Sequence, residues 1–145
     1  MKIVVADDLP ASALDLLRAE GWTVDARSGR TFEQLAADLA DADALVVRSA
    51  TKVTAPLIEA APTLRAIARA GTGVDNVDVP AASARGIVVM NAPGANSISV
   101  AELAMAYVLA LARHLPAADA AMKQRKWEKK KFLGEEVQDK TLGLF

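Results

Sequence analysis

Ala66-Ile67-Ala68-Arg69-Ala70-Gly71-Thr72-Gly73-Val74-Asp75-Asn76 is the segment from which the architecture can be read. Its first three residues form an apolar run that reads as a buried strand. The run empties into a turn whose two glycines let the backbone come close to another group. Arg69 stands at the mouth of that turn. In open α/β sheets, ligands collect in the crevice beyond the carboxyl ends of the strands. The motif therefore reads either as an anion-binding loop or as a tight turn beside a surface arginine.

The same unit of strand and turn recurs on either side. Strands are predicted at residues 3–6, 22–24, 44–47, 66–68 and 87–90, with helices between them at 11–20, 32–39, 55–60 and 80–85. Strand, helix, strand at this spacing means parallel pairing through right-handed crossovers, with helices on both faces. The predicted fold is α/β: a doubly wound, flavodoxin-like sheet of five parallel strands in the order 2-1-3-4-5. Gly21 marks the end of the first helix, Pro80 fits the first turn of the fourth, and Gly86 ends it.

Composition agrees with this class. The 145 residues suffice for a domain with a real core, and 52% of them are apolar, which argues against disorder. A net charge of −1 gives no electrostatic reason to expect a nucleic-acid or membrane partner. The absence of cysteine excludes disulfides and thiolate metal sites, and no metal site is expected. Met1-Lys2 runs directly into Ile3-Val4-Val5, which predicts no signal peptide, and the apolar run at residues 103–112 is too short to span a bilayer. These features predict a cytoplasmic protein.

Asp7-Asp8, after the first strand, raises a sharper alternative, since paired acids there begin the metal site of a phosphorylation receiver domain. Such a domain needs an acceptor Asp after strand three, where Arg48 stands, and a Lys after strand five, where Asn91-Ala92-Pro93 stands. An arginine cannot accept a phosphoryl group as a carboxylate does. Asp7 and Asp8 are then expected to be turn residues or helix caps.

Three loops fall on the same carboxyl edge of this sheet: residues 48–51, 69–76 and 91–97. They offer the guanidiniums of Arg48 and Arg69, several hydroxyls, exposed backbone amides and a side-chain amide, a set suited to a small phosphorylated or carboxylated ligand. Either arginine alone reads as a solvated side chain. The two together, flanking a Gly-x-Gly turn, favour the anion site. Position 76, where a dinucleotide fingerprint would need its third glycine, holds Asn76.

Beyond residue 91 the pattern changes. Ser99-Val100-Ala101-Glu102 reads as a capping box, and residues 103–112 are apolar on every face, as in a helix buried at a domain junction or subunit interface. Met105 and Tyr107 are accordingly expected in packing contacts, and His114 at a helix terminus or on the surface rather than as a catalytic base. Another helix is predicted at residues 116–124. It leads to Lys126-Trp127-Glu128-Lys129-Lys130-Lys131-Phe132, which is too short for a convincing nucleic-acid patch and reads as a solvated face or an anion site completed in an oligomer. Residues 140–145 read as a strand just beginning, with a further α/β unit expected after it.

These motifs resemble a known family. Residues 47–54 (Val-Arg-Ser-Ala-Thr-Lys-Val-Thr), 69–78, Asn91-x-Pro93-x-x-Asn96-Ser97, Ala101-Glu102-Leu103 and Lys126-Trp127-Glu128-x-x-x-Phe132-x-Gly134 are similar, in the same order, to the N-terminal part of the NAD-dependent D-2-hydroxyacid dehydrogenases. The Lys-Trp-Glu segment with Arg48-Ser49-Ala50 resembles the branch that oxidises 3-phosphoglycerate in serine biosynthesis more than the lactate, glyoxylate or formate branches. The resemblance implies a substrate-binding domain at residues 1–96, then hinge and dimer-forming helices and the start of an NAD-binding domain at 97–145. It implies substrate contacts from Arg48, Ser49, Arg69, Gly73 and Asn96, and a nicotinamide border at Thr72 and Val74. Trp127, Lys129, Lys130 and Lys131 would reach toward a neighbouring subunit of a homo-oligomer. The family's glycine fingerprint and its catalytic Arg, Glu and His have no counterpart in the 145 residues, so this chain alone is expected to be inactive. A standalone anion-binding module remains the alternative, as does a sister dehydrogenase of glyoxylate or lactate.

Overall fold

Each predicted strand of the first ninety residues forms within two residues of its expected limits. β1 (Lys2–Val5), β2 (Thr23–Ala26), β3 (Ala44–Val47), β4 (Ala66–Arg69) and β5 (Val88–Met90) pair in parallel in the order β2-β1-β3-β4-β5. The computed structural model describes residues 1–144. Register places Val5 beside both Ala26 and Val46, and Val47 beside Arg69, so the strands end nearly level and their outgoing loops share an edge.

Between the strands run α1 (Ala11–Ala19), α2 (Phe32–Leu39), α3 (Ala55–Glu59) and α4 (Val79–Ala84). Alternation along the strands assigns the faces. Val4, Leu45, Val47 and Ile67 are buried with Leu35 and Leu39 of α2, Leu57 and Ile58 of α3 and Ala82 of α4. Each large side chain so buried contributes about 1.5–3 kcal/mol relative to exposure. The alternate residues Ile3, Val46 and Ala68, with Leu17 of α1 and Trp22, line an open apolar groove of about 650 Å³. That groove follows a sheet face rather than the carboxyl edge, and it offers apolar contact rather than convergent polar groups.

The helix boundaries follow local chemistry. Gly21 adopts a φ of 76° just past the end of α1, and Pro80 sits in the first turn of α4, as expected. A capping box does form, at the start of α2. There Thr31 Oγ1 accepts from Gln34 N at 3.3 Å and Gln34 Oε1 accepts from Thr31 N at 3.0 Å. The box predicted at Ser99 does not: α5 (Ser97–Ala112) begins two residues earlier, with Asn96 at its N-cap position and no side-chain cap bond. Residues three apart also face each other inside a helix, so a Ser-x-x-Glu pattern does not by itself locate a helix start.

Contacts divide the chain into two units, Met1–Ala95 and the residues from Asn96 onward. The second holds α5, α6 (Leu115–Lys123) and a 3-10 turn at Lys129–Phe132. His114 stands between the helices in a left-handed conformation, at a helix terminus as expected. The backbone after the turn returns to α5. Glu135 N donates to Ala112 O at 2.9 Å, and Gly134 lies so close that a Cβ there would overlap the Ala112 carbonyl oxygen.

Of two expectations for this unit, one lies beyond a single chain and one is corrected. No residue of α5 is buried by the chain's own residues; Met105 and Tyr107 are 49% and 61% exposed. An all-round apolar composition states a demand for burial without saying what meets it. Residues 140–144 form no strand, because a strand exists only with a ladder partner and they have none among the described residues; Phe145 lies outside those residues. Among the described residues, no single helix is long and apolar enough to cross a membrane.

Candidate functional site

The carboxyl edge is organised by two residues that connect its loops. Asp7, two residues past the end of β1, stands in a bend, as expected of a turn residue, but it is buried and is no helix cap: the N-cap position of α1 is Pro10. Its Oδ2 accepts from the Arg48 amide at 2.6 Å and the Thr51 amide at 3.2 Å, and its Oδ1 accepts from the Thr51 hydroxyl at 2.6 Å. Burial alone would push this carboxyl up. The hydrogen bonds from the Thr51 hydroxyl and the Arg48, Thr51 and Ala50 amides outweigh it and hold Asp7 below the usual carboxylate range. On the other side, Asn76 Nδ2 donates to Arg48 O at 2.7 Å and to Thr51 O at 2.6 Å.

Arg48 and Ser49 ride on the loop so held, both exposed, and the Arg48 guanidinium reaches the Asp8 carbonyl at 3.4 Å. Arg69 leaves β4 beside it. Its Nε is 3.4 Å from Arg48 O, and its Nη1 meets Asp75 Oδ1 at 2.6 Å. Asp75 is 81% exposed while the Arg69 side chain is 12% exposed, so a solvent-exposed carboxylate covers a largely enclosed guanidinium. Gly73 makes room for this pair, since a Cβ there would come within 3.0 Å of Arg69 Nη1 and 3.1 Å of Asp75 Oδ1. The third loop is tied to the same turn: Ala92 N donates to Gly71 O at 2.9 Å, and Asn91 Nδ2 to Thr72 O at 2.5 Å.

Arg48, Ser49, Arg69, Thr72, Gly73 and Val74 are therefore brought to one edge by β3, β4 and the turn that follows. Asn96 opens the second unit, at the N-cap position of α5. Trp127 is 78% exposed beside the 3-10 turn that carries Lys129, Lys130 and Lys131; Lys131 Nζ pairs with Glu128 at 2.6 Å. Met122, Phe132 and Trp127 line a shallow depression of about 210 Å³ in this unit.

Sequence reasoning missed Asp7 and Asn76 as builders of the edge. One signal was available: an acid directly after β1 and an amide after β4 flank the exit of β3, which lies between those strands. The residues present do not fit a dinucleotide's pyrophosphate. The sequence has no Gly-x-Gly-x-x-Gly, and the Asn76 carboxamide is engaged with two loop carbonyls where a third glycine would stand. No group of three or more metal-ligating side chains occurs among the described residues.

Residues 3–142 match the model of the D-isomer specific 2-hydroxyacid dehydrogenase catalytic domain, and the chain belongs to that family. Within it, the chain is 51% identical to the D-3-phosphoglycerate dehydrogenase of Methanocaldococcus jannaschii and 49% identical to that of Archaeoglobus fulgidus, over 99% of its own length in each case. It spans only 27% of the length of either relative. Among solved structures it is similar to the NAD⁺-bound 3-phosphoglycerate dehydrogenase of Entamoeba histolytica. That match has a TM-score of 0.69 and 34% identity, covering 78% of this chain and 39% of that one.

Proposed function

We propose that this chain is the substrate-binding portion of an NAD-dependent D-3-phosphoglycerate dehydrogenase of the cytoplasm, oxidising 3-phosphoglycerate to 3-phosphohydroxypyruvate on the route to serine. The observation that carries the reading is the convergence of Arg48 and Arg69 on the carboxyl edge, beside the turn at residues 71–74. Arg48 and Ser49 receive one charged end of the substrate. Arg69 receives the other by exchanging its present carboxylate partner, Asp75, for the ligand's anion. Gly73 keeps that approach open, Asn96 adds a side-chain amide, and Thr72 and Val74 border the nicotinamide.

NAD, when bound, supplies the hydride acceptor. The residues of this chain bind and orient substrate, and none of them is assigned to proton transfer. Residues 1–96 act as the substrate domain, and 97–145 as hinge and dimerisation elements. α5 meets a second subunit, toward whose site Trp127 and Lys129–Lys131 project. No nucleic-acid or membrane partner is involved.

The deciding experiment is a substrate panel assayed with the full-length gene product and NAD. A site built around two guanidiniums should give 3-phosphoglycerate a kcat/KM at least about a hundredfold above D-lactate. Equal or better use of D-lactate or of the glyoxylate couple would assign the chain to a sister dehydrogenase.

A further inference from the structure

The loop that follows β3 is gripped from two sides. Its two terminal residues, Arg48 and Thr51, each have both backbone groups fixed by the same pair of side chains. Asp7 accepts from both N–H groups, and Asn76 donates to both C=O groups. Sheet order explains how two side chains so far apart in sequence meet one loop. β3 lies between β1 and β4, and Asp7 and Asn76 stand in the segments leaving those neighbours. The two residue types suit these partners, since an ionised carboxylate only accepts, and the amide NH₂ is the one part of Asn with two donors.

The arrangement also carries a cost that identifies its purpose. Asn76 Oδ1 is buried without a hydrogen-bond partner among the described residues, so the carboxamide leaves its acceptor unsatisfied while both donors face the loop. Flipping the amide would set its oxygen against two carbonyls. The Asn76 backbone is held in turn, its carbonyl accepting from Val53 N at 2.8 Å beside the Val53–Val77 bridge. Ser49 and Ala50 lie between the gripped ends and remain exposed.

From this geometry we infer that Asp7 and Asn76 are positioning residues for substrate binding, a two-sided clamp that pre-orders the loop presenting Arg48 and Ser49. They act through the backbone of residues 48–51, without touching substrate. The inference rests on the proposed 3-phosphoglycerate site. A pre-ordered loop binds its anion without losing loop freedom on association, so loosening it weakens substrate binding while the chemical step is spared.

The experiment uses the full-length gene product with Asp7→Asn, Asn76→Ala and, as reference, Arg48→Ala. It combines steady-state kinetics with amide hydrogen exchange. In Asp7→Asn and Asn76→Ala, the KM for 3-phosphoglycerate is expected to rise about tenfold, with kcat and the KM for NAD within about twofold. Exchange at the Arg48 and Thr51 amides should accelerate at least about tenfold while β1 and β3 stay protected. Accelerated exchange with an unchanged KM would overturn the inference, leaving the clamp purely structural. Unchanged exchange in both variants would overturn the clamp itself, however Arg48→Ala behaves. If Asp7→Asn does not fold, Asn76→Ala decides alone. An unchanged KM in Arg48→Ala would instead defeat the substrate reading, which keeps the two failures apart.

Discussion

The unit up to Ala95 and the unit beyond it use apolar side chains in opposite ways. In the first, Val4, Leu45, Val47 and Ile67 are fully enclosed by α2, α3 and α4. In the second, Ala121 is the one buried hydrophobic residue among those described, while Leu103, Met105, Tyr107, Leu109 and Leu111 lie exposed. Similar overall apolarity thus has two outcomes. Where apolar residues alternate along strands and recur on one helix face, the chain meets its own demand for burial. Where they surround a helix, the chain leaves the demand unmet, and the proposed role of α5 as a subunit interface would meet it.

Matched truncations put this contrast under the greatest strain. Ile67→Ala should lower stability by about 2–5 kcal/mol in chemical denaturation, because it empties enclosed space. Leu109→Ala, on the exposed helix, should change the monomer's stability by no more than about 0.5 kcal/mol. Equal losses would mean that the two units do not differ as described. Gly134→Ala should come next, at about 1–3 kcal/mol, because a Cβ meets the backbone of residues 112–113 rather than a side chain that can move aside. Faster amide exchange confined to the second unit is the signature to look for.

Self-association bears on the same difference between the units. At micromolar concentration the protein should sediment as a dimer or larger, and Leu103→Glu with Tyr107→Glu should shift it toward monomer. A wild-type chain that sediments strictly as monomer would remove α5 as an interface. The smallest effect belongs to Asp7. Its folded-state carboxyl lies below the ordinary value of 3.8, so the stability it contributes is complete above that pH and is lost as pH falls through the depressed folded value. Asp7→Asn should flatten that acid limb in urea titrations. An unchanged acid limb would show that the loop amides do not stabilise the charged form.

The fold was legible because its signals are local. Short apolar runs such as residues 44–47 and 66–68, punctuated by Gly21, Pro80 and Gly86, determine strands, crossovers and order together. The edge position of Arg48 and Arg69 followed from that order. Asp7 and Asn76 were legible only as an acid and an amide flanking the exit of β3, because their roles depend on partners more than twenty residues away and on which backbone groups face them. The supposed box at Ser99 failed for a related reason, since its spacing satisfies a helix interior as well as a helix start.

In the proposed function, the guanidiniums of Arg48 and Arg69, both presented at the carboxyl edge, hold a phosphorylated acid. The KM for 3-phosphoglycerate in Arg48→Ala and Arg69→Ala versions of the full-length gene product probes that role with the fewest intermediate steps. Loss of a charge-assisted contact predicts a rise equivalent to about 1–3 kcal/mol in each, with the KM for NAD little changed. An unchanged KM for 3-phosphoglycerate in both variants would contradict it.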